Sequence, residues 1–222
     1  MDKVLVIAPH PDDETLGCGG SLLKHDKNGD RLSWLICTEV HRGLGWSDKK
    51  IQRRKKEIKL VKESYNFQSV YSLGIPAAKV DQKPISELAK ELGDIAKKLS
   101  PNIIYMPYIN DVHTDHYIIG KVLQSLVKWF RYPSLKKVLI YETLSETNFN
   151  FASQDKFQPN TFNNITDFID KKINIMKIYK SELKEHPFPR SEDSIKALAV
   201  LRGSQSGHKY AEAFNLIFES IK

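Results

Sequence analysis

The sequence predicts an α/β fold built on a mostly parallel sheet. Short Val/Ile-rich runs alternate with longer amphipathic segments over the first 142 residues, which is the pattern of repeated strand–helix units. The apolar runs are continuous, as expected for strands that helices cover on both faces. With 222 residues, 41% of them hydrophobic and 27% charged, the chain is long enough to bury a core without disulfides.

Each predicted strand is a short apolar run, and each predicted helix has apolar residues at three- and four-residue spacing. Proline ends two of the strands, at Pro9 and Pro107. The elements follow in the order strand Lys3–Ala8, helix Asp13–Lys27, strand Leu32–Thr38, helix Lys49–Tyr65, strand Val70–Leu73, helix Pro84–Leu99, strand Ile103–Met106, helix Thr114–Phe130 and strand Val138–Tyr141.

Beyond residue 142 the alternation stops. Thr143–Asn164 is polar and predicts a long irregular connection. Two more helices are predicted, at Thr166–Leu183 and Ser191–Leu201, and Tyr210–Phe218 closes the chain. Because no linker divides the sequence, we expect a single domain over residues 1–222, with 143–222 as the more variable portion that shapes substrate specificity.

Composition excludes several classes of protein. Two cysteines, Cys18 and Cys37, are too few for a secreted disulfide framework or a four-cysteine zinc site. No apolar run approaches the roughly 20 residues of a membrane-spanning helix, and the N-terminal run is too short for a signal peptide. We therefore expect a cytoplasmic protein with no transmembrane segment.

The net charge of +7 is concentrated in one segment. Residues 49–62 hold eight Lys or Arg and one acid, so the rest of the chain is neutral. Apolar residues at near-helical spacing make this segment one basic helix face, and it contains no aromatic residue on which a base could stack. A solvated helix face is therefore favoured over a nucleic-acid surface, although an anionic substrate stays open if the face borders the active site.

Two polar clusters directly follow predicted strands. Residues 9–14 (Pro-His-Pro-Asp-Asp-Glu) follow the first strand, and residues 111–116 (Asp-Val-His-Thr-Asp-His) follow Ile103–Met106. In a parallel sheet both clusters lie at the same edge, where ligands bind. Each cluster could also be no more than the start of a helix. The acidic residues of the first cluster would then complement the helix dipole, and Thr114 of the second would be the N-cap.

Crowded carboxylates favour a bound cation over two unrelated helix starts. Two histidines and one carboxylate form a ligand set for catalytic zinc, and the same set suits ferrous iron. His10 and Asp13 are spaced to reach one metal ion, while Asp12 would face the water beside it.

The segment Ala8–Gly20 (Ala-Pro-His-Pro-Asp-Asp-Glu-Thr-Leu-Gly-Cys-Gly-Gly), together with His113-Thr-Asp-His116, resembles the PIG-L/LmbE family of zinc-dependent N-deacetylases. The resemblance covers the chain to about residue 142 and, more weakly, Tyr210–Phe214. It implies a Rossmann-like three-layer sandwich and removal of an acetyl group from an N-acetylated amino sugar or sugar conjugate, by attack of zinc-bound water.

The resemblance also implies roles for individual residues. His10, Asp13 and His116 would bind Zn²⁺, and Asp12 would be the general base. His113, as an imidazolium oriented by Asp115, would stabilise the oxyanion. A looser match makes Arg54 a substrate-binding residue, and His41 and Arg42 are further candidates for the same pocket.

Three alternatives remain. An amidase of a larger acyl or thiol conjugate, or a ferrous oxygenase, would use the same three ligands. A basic polyanion-binding module with a vestigial site would bind nucleic acid in a salt-sensitive way after loss of the ligands. Metal content and acetate release separate these functions; the favoured partner is a small amino-sugar molecule and not a nucleic acid.

Overall fold

A seven-stranded sheet forms the centre of the protein. The computed structural model describes residues 1–151 and 156–221. Over these residues the chain forms β1 (Lys3–Ala8), α1 (Asp13–Lys27), β2 (Arg31–Glu39), α2 (Asp48–Ser64), β3 (Ser69–Pro76), α3 (Ile85–Leu99), β4 (Ile103–Pro107), α4 (Thr114–Leu123), β5 (Lys137–Tyr141), β6 (Thr161–Asn164), α5 (Ile169–Met176), α6 (Glu192–Ser206) and β7 (Ala211–Glu219).

The strand order is β3-β2-β1-β4-β5-β7-β6. The first five strands are parallel, with Val4 of β1 opposite Leu32 on one side and Ile103 on the other. β7 pairs with β5 in the antiparallel direction, and β6 pairs with β7 in the antiparallel direction. The chain runs from β1 to β2 and β3 on one side of the sheet, and from β4 to β5 on the other side. A crevice therefore opens between the carboxyl ends of β1 and β4.

Helices cover both faces of the sheet, which confirms the predicted α/β fold with a mostly parallel sheet. Alternate residues of each strand point to opposite faces, so β1 contributes Val4 and Val6 to one core and Leu5 and Ile7 to the other. The first core lies beneath α1, α2, α5 and α6, and the second lies beneath α3 and α4. No helix among the described residues is both long enough and apolar enough to cross a bilayer.

The predicted elements as far as β5 agree with the structure to within a few residues, except for the end of α4. That helix was expected to reach Phe130, but it ends at Leu123 and continues as a 3₁₀ turn to Leu126. The backbone leaves helical geometry at Val127, with φ −82° and ψ 49°.

The C-terminal part of the chain differs more from the prediction. β6 lies inside the connection expected at Thr143–Asn164, of which residues 152–155 fall outside the described part of the chain. β7 occupies the unassigned tail and pairs with β5, and β6 pairs with β7. The helix expected at Thr166–Leu183 covers only Ile169–Met176, whereas the last helix extends to Ser206.

Helix α1 bends at Cys18, where φ is −142° and ψ is 20°. The bend frees the N–H groups of Gly20 and Ser21, which donate to the Glu212 carboxylate at 2.7 and 2.8 Å. Lys172 pairs with the same carboxylate at 2.7 Å, and both side chains are buried. The glycine-rich stretch thus serves helix geometry and close packing: a Cβ on Gly17 would meet the Tyr141 ring at 2.2 Å.

Candidate metal centre and active site

A cavity of about 220 Å³ opens at the carboxyl ends of the parallel strands. Residues that follow β1, β2, β3, β4 and β5 line it, as do one residue of α2 and two from the segment between α5 and α6. Its charged and aromatic lining consists of His10, Asp12, Asp13, Glu39, Trp46, Arg54, His113, His116, Glu146, Glu182 and Arg190. The crevice expected from strand order is therefore present, and both predicted clusters reach it.

Three potential ligand atoms converge on one point of this cavity. His10 Nδ1 lies 3.2 Å from His116 Nε2 and 3.4 Å from Asp13 Oδ2. His116 Nε2 lies 3.2 Å from the same Asp13 oxygen. Ligands about 2.0–2.1 Å from a tetrahedral ion are about 3.3–3.4 Å apart, so the three atoms match one face of a zinc coordination tetrahedron. His10, Asp13 and His116 thus fit one divalent cation.

Two buried carboxylates orient the histidines of this group. Asp111 Oδ2 lies 2.8 Å from His116 Nδ1, on the ring edge that faces away from the common point. Asp115 Oδ2 lies 3.0 Å from His10 Nε2 and also accepts the N–H of Ala78 at 2.7 Å. Such contacts fix the ring orientation of metal-binding histidines and make the other ring nitrogen a better ligand.

Charge interactions within the group are strong. Although burial lowers the pKa of His10, hydrogen bonds to Asp115 and Asp13 raise it to about 9. Burial also opposes the charged form of Asp13, yet His116 and His10 hold the pKa of this carboxyl well below its usual range. A cation must compete with the protons on the two rings, so its affinity is expected to fall as pH falls.

Asp12 has an unusual backbone and a buried carboxylate. Its φ of 143° lies in a region that side-chain-bearing residues rarely occupy, and such strain persists where surrounding contacts enforce it. The Asp12 N–H donates to the buried Glu14 carboxylate at 3.1 Å. The Asp12 side chain makes no helix cap; it accepts a hydrogen bond from Arg190 Nη1 at 2.9 Å. Burial and the neighbouring Asp13 raise the pKa of Asp12 to about 8.

His113, and not Thr114, caps α4: its Nδ1 accepts the N–H of Asp115 at 3.1 Å. Burial and the rings of His10 and His116 lower the pKa of His113 to about 4. A neutral ring whose Nδ1 accepts carries its proton on Nε2. This environment favours a neutral imidazole, whereas an imidazolium was expected. The Asp115 carboxylate, which was expected to orient His113, lies 3.0 Å from His10 Nε2 and 4.0 Å from His113 Nδ1.

Arg54 lines the cavity, but protein groups occupy its guanidinium. Nη1 donates to the Pro11 carbonyl at 2.7 Å, Nε lies 3.2 Å from Glu57, and Nη2 bonds to Glu182. The side chain is only 8% exposed. The guanidinium therefore holds the loop that carries Asp12, and the role of Arg54 in substrate binding stays a prediction.

The structure does not bring His41 and Arg42 to the site. Neither belongs to the cavity lining. His41 accepts the N–H of Gly43 and caps a 3₁₀ turn, and Arg42 pairs with Asp48 at the surface. Trp46, from the same connection, lines the cavity instead.

The C-terminal half supplies three charged residues that sequence reasoning did not assign. Glu146 follows β5, and Glu182 and Arg190 lie between α5 and α6. Arg190 Nη1 lies 2.9 Å from Asp12 and 3.5 Å from Glu182, so Glu182 links the two arginines that hold residues 11 and 12. In the sequence, only Arg190 stands out among the three, because it follows Pro187-Phe-Pro189. No recognisable motif surrounds it that would have predicted a place in the site.

Comparison with known proteins identifies the family of this chain. The model of the PIG-L family, described as GlcNAc-PI de-N-acetylase, matches residues 5–127, more than half of the chain. The chain belongs to the PIG-L family. The matched region carries both polar clusters, and Glu146, Glu182 and Arg190 lie outside it.

Individual PIG-L relatives resemble most of the chain. It is 25% identical to the diacetylchitobiose deacetylase of Thermococcus kodakarensis, over 98% of this chain and 84% of the relative. It is 24% identical to a probable N-acetyl-α-D-glucosaminyl L-malate deacetylase 2 of Bacillus cereus, over 81% and 83% of the two chains. Among solved structures, the conserved protein TT1542 of Thermus thermophilus shares the fold, with a TM-score of 0.78 and 24% identity over 100% of this chain and 97% of that one.

Proposed function

We propose that this PIG-L chain is a zinc-dependent N-deacetylase that removes the acetyl group from an N-acetylated amino sugar or sugar conjugate. The convergence of His10 Nδ1, Asp13 Oδ2 and His116 Nε2 within 3.4 Å, beside the carboxylate of Asp12, carries the proposal. The family match and the two deacetylase relatives support the reaction and the amino-sugar substrate.

His10, Asp13 and His116 would hold the zinc ion, with Asp111 and Asp115 keeping the two rings in place. When bound, zinc polarises a carbonyl and lowers the pKa of water to about 7. Asp12 accepts the proton of the attacking water on its carboxylate and returns it to the leaving amine, a role worth roughly 10²–10⁴ in rate. Arg190 keeps that carboxylate aimed into the cavity.

His113 assists as a neutral donor. With Nδ1 engaged by the Asp115 N–H, the Nε2 proton, which has no partner among the described residues, can bind the amide oxygen as negative charge develops there. Loss of one such donor typically costs about 10²–10³ in turnover. Arg54, which Glu182 holds in place, binds the Pro11 carbonyl and keeps the Asp12 loop in its strained conformation, so it fixes the base relative to the ligands.

Several broader expectations also stand as proposals. We propose a single domain, supported by the pairing of β7 with β5 in the sheet that begins with β1. Glu146, Glu182 and Arg190 support a specificity role for residues 143–222. The free, buried thiols of Cys18 and Cys37 agree with a cytoplasmic location, and the partner we propose is a small sugar rather than a nucleic acid.

The decisive experiment measures metal content and acetate release together. Purified protein loaded with zinc or with ferrous iron should release acetate from N,N′-diacetylchitobiose or another N-acetylated sugar, with highest turnover for zinc. Asp13→Ala should lose metal and activity together. Release of a larger acyl group alone would favour the amidase, and oxidation with ferrous iron would favour the oxygenase. Salt-sensitive polyanion binding that survives Asp13→Ala, without acetate release, would favour the binding module.

A further inference from the structure

The charge of the cavity is informative about its substrate. Five carboxylates line it but only two guanidinium groups do, and no lysine lines it among residues 1–151 and 156–221. Both arginines already have protein partners: Arg54 contacts Glu57 and Glu182, and Arg190 contacts Asp12 and Glu182. The charge of each guanidinium is therefore already balanced by protein carboxylates, although Arg190 Nε has no hydrogen-bond partner among the described residues.

Two of the carboxylates neither belong to the catalytic group nor pair with an arginine. Glu39 ends β2 and Glu146 follows β5, and in the strand order these strands flank the central pair β1 and β4. Within the described part of the chain neither carboxylate forms an ion pair; Glu146 accepts only the hydroxyl of Ser145 at 3.0 Å. Unpaired carboxylates on both flanks can accept hydrogen bonds from hydroxyl groups and repel anions.

The basic helix face does not reverse this balance. Of the eight basic residues in 49–62, only Arg54 lines the cavity, while Arg53, Lys55, Lys56 and Lys59 are exposed on the outside of α2. Lys50 Nζ lies 5.3 Å from the centre of the Trp46 ring but is not part of the lining. The ring of Trp46 does belong to the lining and gives the cavity an aromatic surface against which the apolar face of a sugar can pack.

We infer that the cavity selects an uncharged N-acetyl sugar over one that carries a carboxylate or phosphate next to the sugar ring, with Glu39 and Glu146 as the residues that discriminate. The inference rests on the proposed deacetylase function and defines its substrate class. A neutral ring donates its hydroxyl protons to the two carboxylates, whereas an anionic substituent next to them is repelled. Specificity here arises from repulsion of the wrong substrate as much as from attraction of the right one.

The test compares four substrates on the zinc-loaded protein: N,N′-diacetylchitobiose, N-acetylglucosamine, N-acetylglucosaminyl malate and N-acetylglucosamine 1-phosphate. We expect kcat/KM for the better neutral substrate to exceed that for the better anionic one by at least about tenfold. The double variant E39Q/E146Q should reduce this ratio at least about fivefold, mainly by lowering KM for the anionic substrates. The matched control E63Q, at an exposed position of α2 outside the cavity, should leave the ratio within about twofold.

A preference for either anionic substrate, or a ratio that E39Q/E146Q leaves unchanged, would overturn the inference. Calorimetric titration of zinc-loaded Asp12→Asn protein with the same four sugars separates the inference from the proposed function. Tighter binding of the neutral sugars without acetate release by the wild-type protein would overturn deacetylation and keep the inference. Equal or tighter binding of the anionic sugars, or no binding of any sugar, would overturn the inference itself.

Discussion

Asp111→Ala is expected to weaken zinc binding without removing a proposed ligand. Asp111 is 4% exposed and contacts His116 Nδ1 at 2.8 Å and the Thr147 hydroxyl at 2.6 Å. Alanine leaves the Nδ1–H of a buried ring without an acceptor and frees the ring to rotate. Loss of such an orienting carboxylate typically costs 10–100-fold in metal affinity, which is about 1.4–2.7 kcal/mol.

The assay is competition for zinc between the protein and a chromophoric chelator at fixed pH. Asp111→Asn retains an oxygen that can accept from Nδ1, so its loss should stay below about tenfold. Thr147→Val is the matched control, because it removes the other partner of Asp111 and keeps the contact with His116. An affinity of Asp111→Ala within about twofold of wild type, in a folded protein, would refute the reasoning that Asp111 supports a metal-binding His116.

Three further substitutions test the site and the fold. Asp12→Asn should keep one zinc per chain yet lose about 10²–10⁴ in kcat, as measured by metal analysis and acetate release on the same sample. Arg190→Ala should lower kcat at least about tenfold in steady-state assays and should raise KM by a smaller factor. Arg190→Lys should recover part of the lost kcat. Glu212→Gln should destabilise the protein by about 3–5 kcal/mol in urea unfolding, because it leaves the Lys172 ammonium unpaired, and Glu212→Gln with Lys172→Met should regain part of that stability.

Opposite outcomes would contradict these assignments. Near-normal turnover of Asp12→Asn would remove Asp12 as the base. A change confined to KM in Arg190→Ala would make Arg190 a substrate contact rather than a residue that positions Asp12. A Glu212→Gln protein as stable as wild type would show that the buried pair with Lys172 does not contribute to the free energy of unfolding.

The sequence predicted β1 to β5 because each carries a short apolar run between amphipathic helices, although Ser72 interrupts the run in β3. β6, with the sequence Thr-Phe-Asn-Asn, carries too few apolar residues to show a strand period, and it exists because β7 offers an edge to pair with. The length of α4 was overestimated because apolar residues continue at helical spacing to Val127, although the backbone has already left the helix there.

The proposed ligands could be predicted because His10, Asp13 and His116 follow strands that end at one edge of the sheet. The residues that orient the ligands and the proposed base could not be predicted from the sequence. Asp115 binds the ring of His10, which is 105 positions away in the chain, rather than that of its near neighbour His113. Arg190 reaches Asp12 across 178 positions, from the segment between α5 and α6, whose path no local sequence pattern predicts.

Diffraction at the zinc absorption edge, on crystals of the zinc-loaded protein, locates the ion itself. We expect a single anomalous peak per chain within about 2.0–2.2 Å of His10 Nδ1, Asp13 Oδ2 and His116 Nε2, absent from Asp13→Ala crystals prepared in the same way. A peak bound by other residues, or one that persists in Asp13→Ala, would contradict it.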